Sequence, residues 1–317
     1  MIVDPVAPYR LPGAVPDGVM RRRDGLLERV ASHDGELALL RAAQPRRDGP
    51  VVIGVWAPTE ALADEALARW RRSLGVDLDH RPFLDLAWHD PVLAPFVRRR
   101  PWLRPTCRYR PHEALVWAIT EQLIEYVEAT KIQRGLVRLV GARCERTGLR
   151  DAPTPEAILA LAPAQIERLG LSARRTLLLR QTCRLLVRGL DLEAEDRMHA
   201  WRQLRAVPGL GSWTVAMMAS RGQGHPDASP SGDLGLLKSV GRLMWEGRVE
   251  LTPAPLLATS YDHRPSARAV AETEGRTVEL KRDRKGRTPM ATEHQVHELV
   301  SRYSPWAGYA AEHLFAA

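Results

Sequence analysis

The chain has 317 residues, 44% of them hydrophobic and 26% charged, which excludes a disordered or fibrous protein and provides length enough for two domains. Its 46 Lys and Arg against 38 Asp and Glu leave a net charge of +8, a balance that suits an anionic partner such as nucleic acid. Cys107, Cys144 and Cys183 form no CxxC pair, which argues against a zinc site, an iron–sulfur cluster or a disulfide framework, and no signal-like opening or run of about 18 apolar residues occurs.

In chain order, residues 1–18 are proline-rich and lack periodicity, and read as a loose arm. Residues 19–105 read as a small α+β domain. The apolar runs Leu37–Leu40 and Val51–Trp56, punctuated by Asp34-Gly35 and Asp48-Gly49, predict antiparallel strands joined by tight turns. Residues 59–76 have helical spacing, with Ala63, Leu67, Trp70 and Leu74 on one face. Residues 106–317 read as a helical domain. Glu113–Ala129, Thr130–Val140, Thr154–Leu161, Pro163–Leu169, Ala173–Arg188 and Asp196–Val207 are its first predicted helices, separated by Pro153, Pro155, Pro163 and Gly170. Residues 251–290 contain prolines and the run Lys281-Arg282-Asp283-Arg284-Lys285-Gly286-Arg287, and read as an inserted loop. A solvated linker is preferred there over a DNA-contacting arm. Glu293–Arg302 and Ala307–Phe315 close the chain as helices. The fold class expected is therefore α+β, mainly helical, with the smaller antiparallel α+β domain first.

The most informative stretch is Leu204 to Thr214. One helix pattern runs into Pro208-Gly209-Leu210-Gly211 and another leaves it. Two glycines permit a tight turn and bring bare N–H groups to a helix start, which is a ready-made phosphate site. Together with Ser229-Pro230-Ser231-Gly232-Asp233-Leu234-Gly235-Leu236, this stretch resembles the helix-hairpin-helix DNA glycosylase superfamily, in particular its 3-methyladenine DNA glycosylase II branch. The segments around Ala114–Leu123, Pro153–Leu171 and Tyr303–Leu314 fit that branch, and Asp90-Pro91-Val92-Leu93 fits the approach to its helical domain. The resemblance covers about residues 60–315 without the insertion. It implies a monofunctional enzyme of base-excision repair that hydrolyses the N-glycosidic bond of alkylated purines (3-methyladenine or 7-methylguanine) and leaves an abasic site.

Residue by residue, the resemblance implies that Asp233 is the catalytic carboxylate, stabilising an oxocarbenium-like sugar. Taken alone, Asp233 reads as the N-cap of a helix starting at Leu234. Trp213 stands where bifunctional relatives carry a Schiff-base lysine, so no strand cleavage is expected. Trp213, Met217, Phe315 and Gln122 are expected to line the base pocket, where an aromatic wall attracts a cationic base. Phe315 reads equally well as a core residue. Leu123 matches the wedge that fills the vacated base stack, or else a core leucine. Val207, Gly209, Gly211, Ser212 and Thr214 are expected at the DNA phosphates, Thr214 through its hydroxyl.

No organic cofactor is implied, and a monovalent cation on the hairpin carbonyls is the one ion the resemblance allows. His225, His294, His297 and His313 read as surface or core histidines rather than ligands. Double-stranded damaged DNA is the expected partner, with no membrane, a monomeric state, and a cytoplasmic, nucleoid-associated location if the source is bacterial. Glu121, Glu125, Ala307 and Gly308 depart from the family pattern. They keep two alternatives open: a glycosylase for another damaged base, and a catalytically silent DNA-damage binding protein.

Overall fold

The structure is a computed structural model that describes residues 1–251 and 290–315. A five-stranded antiparallel sheet in the order β1-β5-β4-β3-β2 is built from β1 (Ile2–Val3), β2 (Met20–Arg23), β3 (Leu26–His33), β4 (Glu36–Ala43) and β5 (Val51–Trp56). The β3–β4 hairpin turns at Asp34 and Gly35, both with positive φ (49° and 89°), the conformation a two-residue turn needs to match strand twist. Helix α1 (Glu60–Leu74) begins at Thr59, whose side chain accepts the Leu62 N–H, and ends at Gly75 in the left-handed region. It buries Leu62, Ala66, Trp70 and Leu74, one position round from the predicted stripe at Ala63 and Leu67.

Further helices follow: α2 (Arg81–Ala87), α3 (Ala94–Arg99), α4 (Pro111–Glu121), α5 (Tyr126–Val140), α6 (Pro155–Ala160), α7 (Pro163–Glu167), α8 (Ala173–Val187), α9 (Arg197–Arg205), α10 (Ser212–Arg221), α11 (Leu234–Trp245), α12 (Glu293–Ser301) and α13 (Ala307–Phe315). The fold is α+β: the antiparallel sheet and its helix come first, then a mainly helical part. Among the described residues no helix is long and apolar enough to cross a membrane. The insertion expected at 251–290 lies outside the described residues, apart from its end residues Leu251 and Met290.

Two expectations need correction. Residues 1–18 are not a loose arm. Ile2 and Val3 pair with Val52 and Val51 of β5, Tyr9 and Leu11 are buried, and Asp17 is buried against Arg108 at 2.5 Å. A few anchoring side chains tie down a segment that has no periodicity to reveal them. The predicted helix Glu113–Ala129 is two helices. At Gln122 the backbone leaves helical geometry (φ −57°, ψ 124°), and Leu123 is left-handed (φ 56°).

The chain packs as two compact units, each assembled from separate segments. The first comprises Met1–Asp79, Thr106–Leu210 and Arg221–Gln223. Its core joins Leu27, Ala31, Leu40 and Ile53 of the sheet with Trp70 and Leu74 of α1 and with Tyr109. Buried charges reinforce it: Arg29 meets Asp151 at 2.8 Å and Glu113 at 3.4 Å, and the Trp117 indole donates to Asp17. Burial pushes the Glu113 carboxyl up, against the pull of Arg29 and Arg108. The second unit comprises His80–Pro105, Gly211–Ser220 and the described residues from Gly224 on. Its core joins Phe83, Leu93 and Val97 to Leu236, Val240, Leu299, Tyr309 and Leu314.

Candidate active site

In the second unit, α11 starts where it does because Asp233 caps it. The Asp233 backbone is extended (φ −71°, ψ 133°), and its Oδ1 accepts the Gly235 N–H at 2.7 Å. Its other oxygen, Oδ2, accepts the Trp213 indole N–H at 3.1 Å. Two donors on two oxygens fix the carboxylate in one orientation. The capping reading of Asp233 therefore holds, and the same carboxylate also accepts from Trp213.

Phe315 completes this group. Its ring carbons Cδ1 and Cε1 lie 3.2 and 3.3 Å from where a Cβ on Gly235 would stand, beside Asp233 Oδ1 at 3.1 Å. A Cβ there would crowd both, so the ring or the carboxylate would have to give by a few tenths of an ångström. The Phe315 side chain is half-buried against the core, so it belongs to the core and to this group. Met217 lies one turn after Trp213 on α10, is also half-buried, and shares its face.

In the first unit the hairpin turn closes by a hydrogen bond from the Leu210 N–H to the Val207 carbonyl at 3.0 Å. Gly209 is exposed with φ 101°, a conformation that side-chain-bearing residues rarely adopt. Gln122 turns its amide to this hairpin, where Nε2 donates to the Gly209 carbonyl at 3.0 Å. The Arg175 guanidinium donates to the carbonyls of Thr120 and Gln122, taking up groups orphaned where α4 ends. So held, the turn presents Leu123 at 102% exposure. The core reading of Leu123 is thereby excluded. Val207 is half-buried; its carbonyl accepts the Leu210 N–H, and the Gly209 carbonyl accepts the Gln122 amide.

In the second unit Gly211 is exposed, with open space beside its Cα. Thr214 requires a correction: at 2% exposure it is buried, and its hydroxyl is not available to a phosphate. The Ser212 hydroxyl is committed to Glu293, donating to Oε1 at 2.9 Å.

The departures from the family pattern have local explanations. Glu121 is half-buried and accepts the Gln133 amide at 2.9 Å, so its charge is engaged within the unit. Glu125 is exposed at the start of α5. The Ala307 N–H donates to Asp227, which also takes the Ser304 hydroxyl, and Gly308 packs where a Cβ would meet the carbonyls of Pro226 and Ala228 at 2.7 Å.

Arg175 and Glu293 were not singled out in the sequence. The Thr292–Gln295 capping box marks the start of α12, but no local pattern links Glu293 to Ser212, 81 residues away. Among the described residues no three His, Cys, Asp or Glu side chains gather closely enough to hold a metal ion.

Residues 114–253 match the family described as HhH-GPD superfamily base excision DNA repair protein. Over 182 residues, 56% of this chain, it is 31% identical to the probable bifunctional transcriptional activator/DNA repair enzyme AlkA of Mycobacterium tuberculosis, of which the match takes in 36%. Over 191 residues, 58% of this chain, it is 27% identical to the DNA-3-methyladenine glycosylase of Bacillus subtilis, of which the match takes in 63%. The chain thus spans about a third of the first relative and under two thirds of the second. The 3-methyladenine DNA-glycosylase of Archaeoglobus fulgidus shares the fold, with a TM-score of 0.68 at 20% identity over 100% of this chain and 97% of that one. Over residues 114–253 the chain is thus similar to the HhH-GPD superfamily of base excision DNA repair proteins.

Proposed function

We propose that this protein is a monofunctional DNA glycosylase that releases alkylated purines of the 3-methyladenine and 7-methylguanine type from double-stranded DNA and leaves an abasic site. The observation that carries this reading is the Asp233 carboxylate, oriented by the Gly235 N–H and the Trp213 indole, with the Phe315 ring alongside. Alkylation at N3 or N7 makes the purine a cation and a good leaving group. Such a base needs an aromatic surface more than a proton donor, and cation–π attraction to Trp213 and Phe315 contributes roughly 0.5–2 kcal/mol. As the bond breaks, positive charge moves to the sugar, where a fixed carboxylate stabilises it without reorganising. Trp213 cannot form a Schiff base, so the backbone stays uncut. Leu123 fills the stack as the nucleotide flips out, and the N–H groups of Gly209 and Gly211 take up phosphate. The similarity to the Bacillus subtilis glycosylase points to the same substrate class.

The test is incubation with duplex DNA bearing 7-methylguanine or 3-methyladenine, followed by measurement of free base. The wild-type protein should release base. Asp233→Asn should lose at least about 100-fold in rate, on the scale of removing one transition-state electrostatic partner, while still binding abasic-site DNA. Release by the variant at the wild-type rate would remove Asp233 from its role. Binding without release by either protein would redirect the reading to a neutral lesion or a damage-binding protein.

A further inference from the structure

Beside Asp233 the second unit holds another carboxylate that neither the family motif nor the proposed chemistry includes. Glu293 opens α12, and its backbone is firmly placed. Thr292 and Gln295 form a reciprocal capping box at 2.9 and 3.2 Å, and the Ala291 N–H donates to the Leu237 carbonyl of α11 at 2.9 Å. From there the side chain reaches two segments. Oε1 accepts the hydroxyl of Ser212, the first residue of α10 and the neighbour of Trp213. The carboxylate carbon also lies 3.2 Å from where a Cβ on Gly232, the neighbour of Asp233, would stand. The side chain thus bonds the residue before Trp213 and lies beside the residue before Asp233.

We propose that Glu293 is a positioning residue for the glycosylase reaction: it ties the start of α10 to the Gly232-Asp233 turn and so holds the indole N–H of Trp213 on the Asp233 carboxylate. This rests on the functional reading above. A side chain at 232 would crowd the Glu293 carboxylate, which would have to give by a few tenths of an ångström. The charge itself has a second effect. At the start of α10 it complements the positive end of the helix, while any DNA phosphate drawn to the same N–H groups meets a like charge. The tie and the charge are therefore separable. Glutamine at 293 keeps an oxygen that accepts the Ser212 hydroxyl, and alanine removes both.

The experiment measures single-turnover base release, affinity for abasic-site DNA and the Trp213 indole N–H resonance, assigned with Trp213→Phe. The variants are Glu293→Ala, Glu293→Gln, Ser212→Ala and the double variant Ser212→Ala/Glu293→Ala. Small misplacement of a reacting group costs up to about 100-fold, so Glu293→Ala and Ser212→Ala should each slow release roughly 10- to 100-fold. The double variant should be no slower than either single variant, because both break one contact. Abasic-site affinity should hold or tighten, Glu293→Gln should recover most of the lost rate, and the Trp213 indole resonance should move in the alanine variants but not in Glu293→Gln. Wild-type release by Glu293→Ala, independent effects in the double variant, or an unmoved resonance would overturn the proposal. Were the wild-type protein silent on both lesions, the glycosylase reading would fail, while the resonance would still decide whether Glu293 holds the Trp213–Asp233 pair.

Discussion

Leu123 combines two unfavourable states in one residue. A leucine with φ 56° carries a steric cost of about 1–2 kcal/mol, and its side chain is fully in water, where burial would have stabilised it. The brace from Arg175 and the Gln122–Gly209 hydrogen bond hold the turn in that state. Such an arrangement does nothing for the isolated protein and suits a side chain that is buried only when a base leaves the stack. Leu123→Ala should therefore leave the melting temperature unchanged or raised. It should also lower the rate of base release from duplex DNA about 10-fold or more, because the unstacking cost of a few kcal/mol loses its compensation. The same variant should act almost normally on a lesion opposite a gap, where no stack needs filling. An equal loss on both substrates would count against the wedge role.

At the scale of elements, the hairpin between α9 and α10 depends on Gly209. Its φ of 101° is strained for any other residue, and an added Cβ would stand 3.2 Å from Leu178. Gly209→Ala should destabilise the protein by about 1–3 kcal/mol in urea denaturation and weaken DNA binding at fixed salt, whereas Gly211→Ala, which meets open space, should be milder in stability. Elements with a local signature were legible in the sequence. The Asp34-Gly35 turn, α10 after its glycines and α11 after Asp233 each follow from residues within a few positions. Elements fixed by distant partners were not. Helix α4 ends at Glu121 although its apolar spacing continues, because Gln122 and Arg175 claim the next carbonyls and the hairpin. Helices α2 and α3, of 7 and 6 residues, are too short to show a period. Within the candidate site, Asp233 and Trp213 were found through their motif, whereas Glu293 and the burial of Thr214 became visible only in three dimensions.

At the scale of the whole molecule, buried histidines set how stability responds to acid. His313 is fully buried, with Nε2 facing the Leu103 carbonyl at 3.2 Å. Burial, with His80 and Arg100 adding repulsion, lowers its pKa to about 4 against hydrogen bonds to Leu103 and Phe96 that act the other way. His112 is lowered to about 4, and His33 and His297 are lowered as well, mainly by burial. In the unfolded chain these groups bind protons near pH 6.5, while the folded state resists protonation, so the unfolded state binds more protons between the two values. Stability is thus fully present above about pH 6.5 and falls as pH drops toward 4, with His313 contributing up to about 3 kcal/mol of the loss. Urea denaturation at several pH values should show this slope. His313→Gln, which retains a donor for Leu103, should make it shallower, and an unchanged slope would show that His313 is not the group responsible.

The packing around Gly308 also bears on the order in which this sequence can change. Ala307 and Gly308 are buried at the start of α13. The carbonyls of Pro226 and Ala228 have closed to 2.7 Å from the position a Cβ would occupy. Backbone oxygens cannot swing aside as a side-chain tip can, so a serine at 308 meets a clash. The loop would first have to withdraw, giving up the Gly308 N–H bond to Pro226 and the bonds from Ser304 and Ala307 to Asp227. A side chain at 308 is therefore accepted only together with changes in residues 226–228.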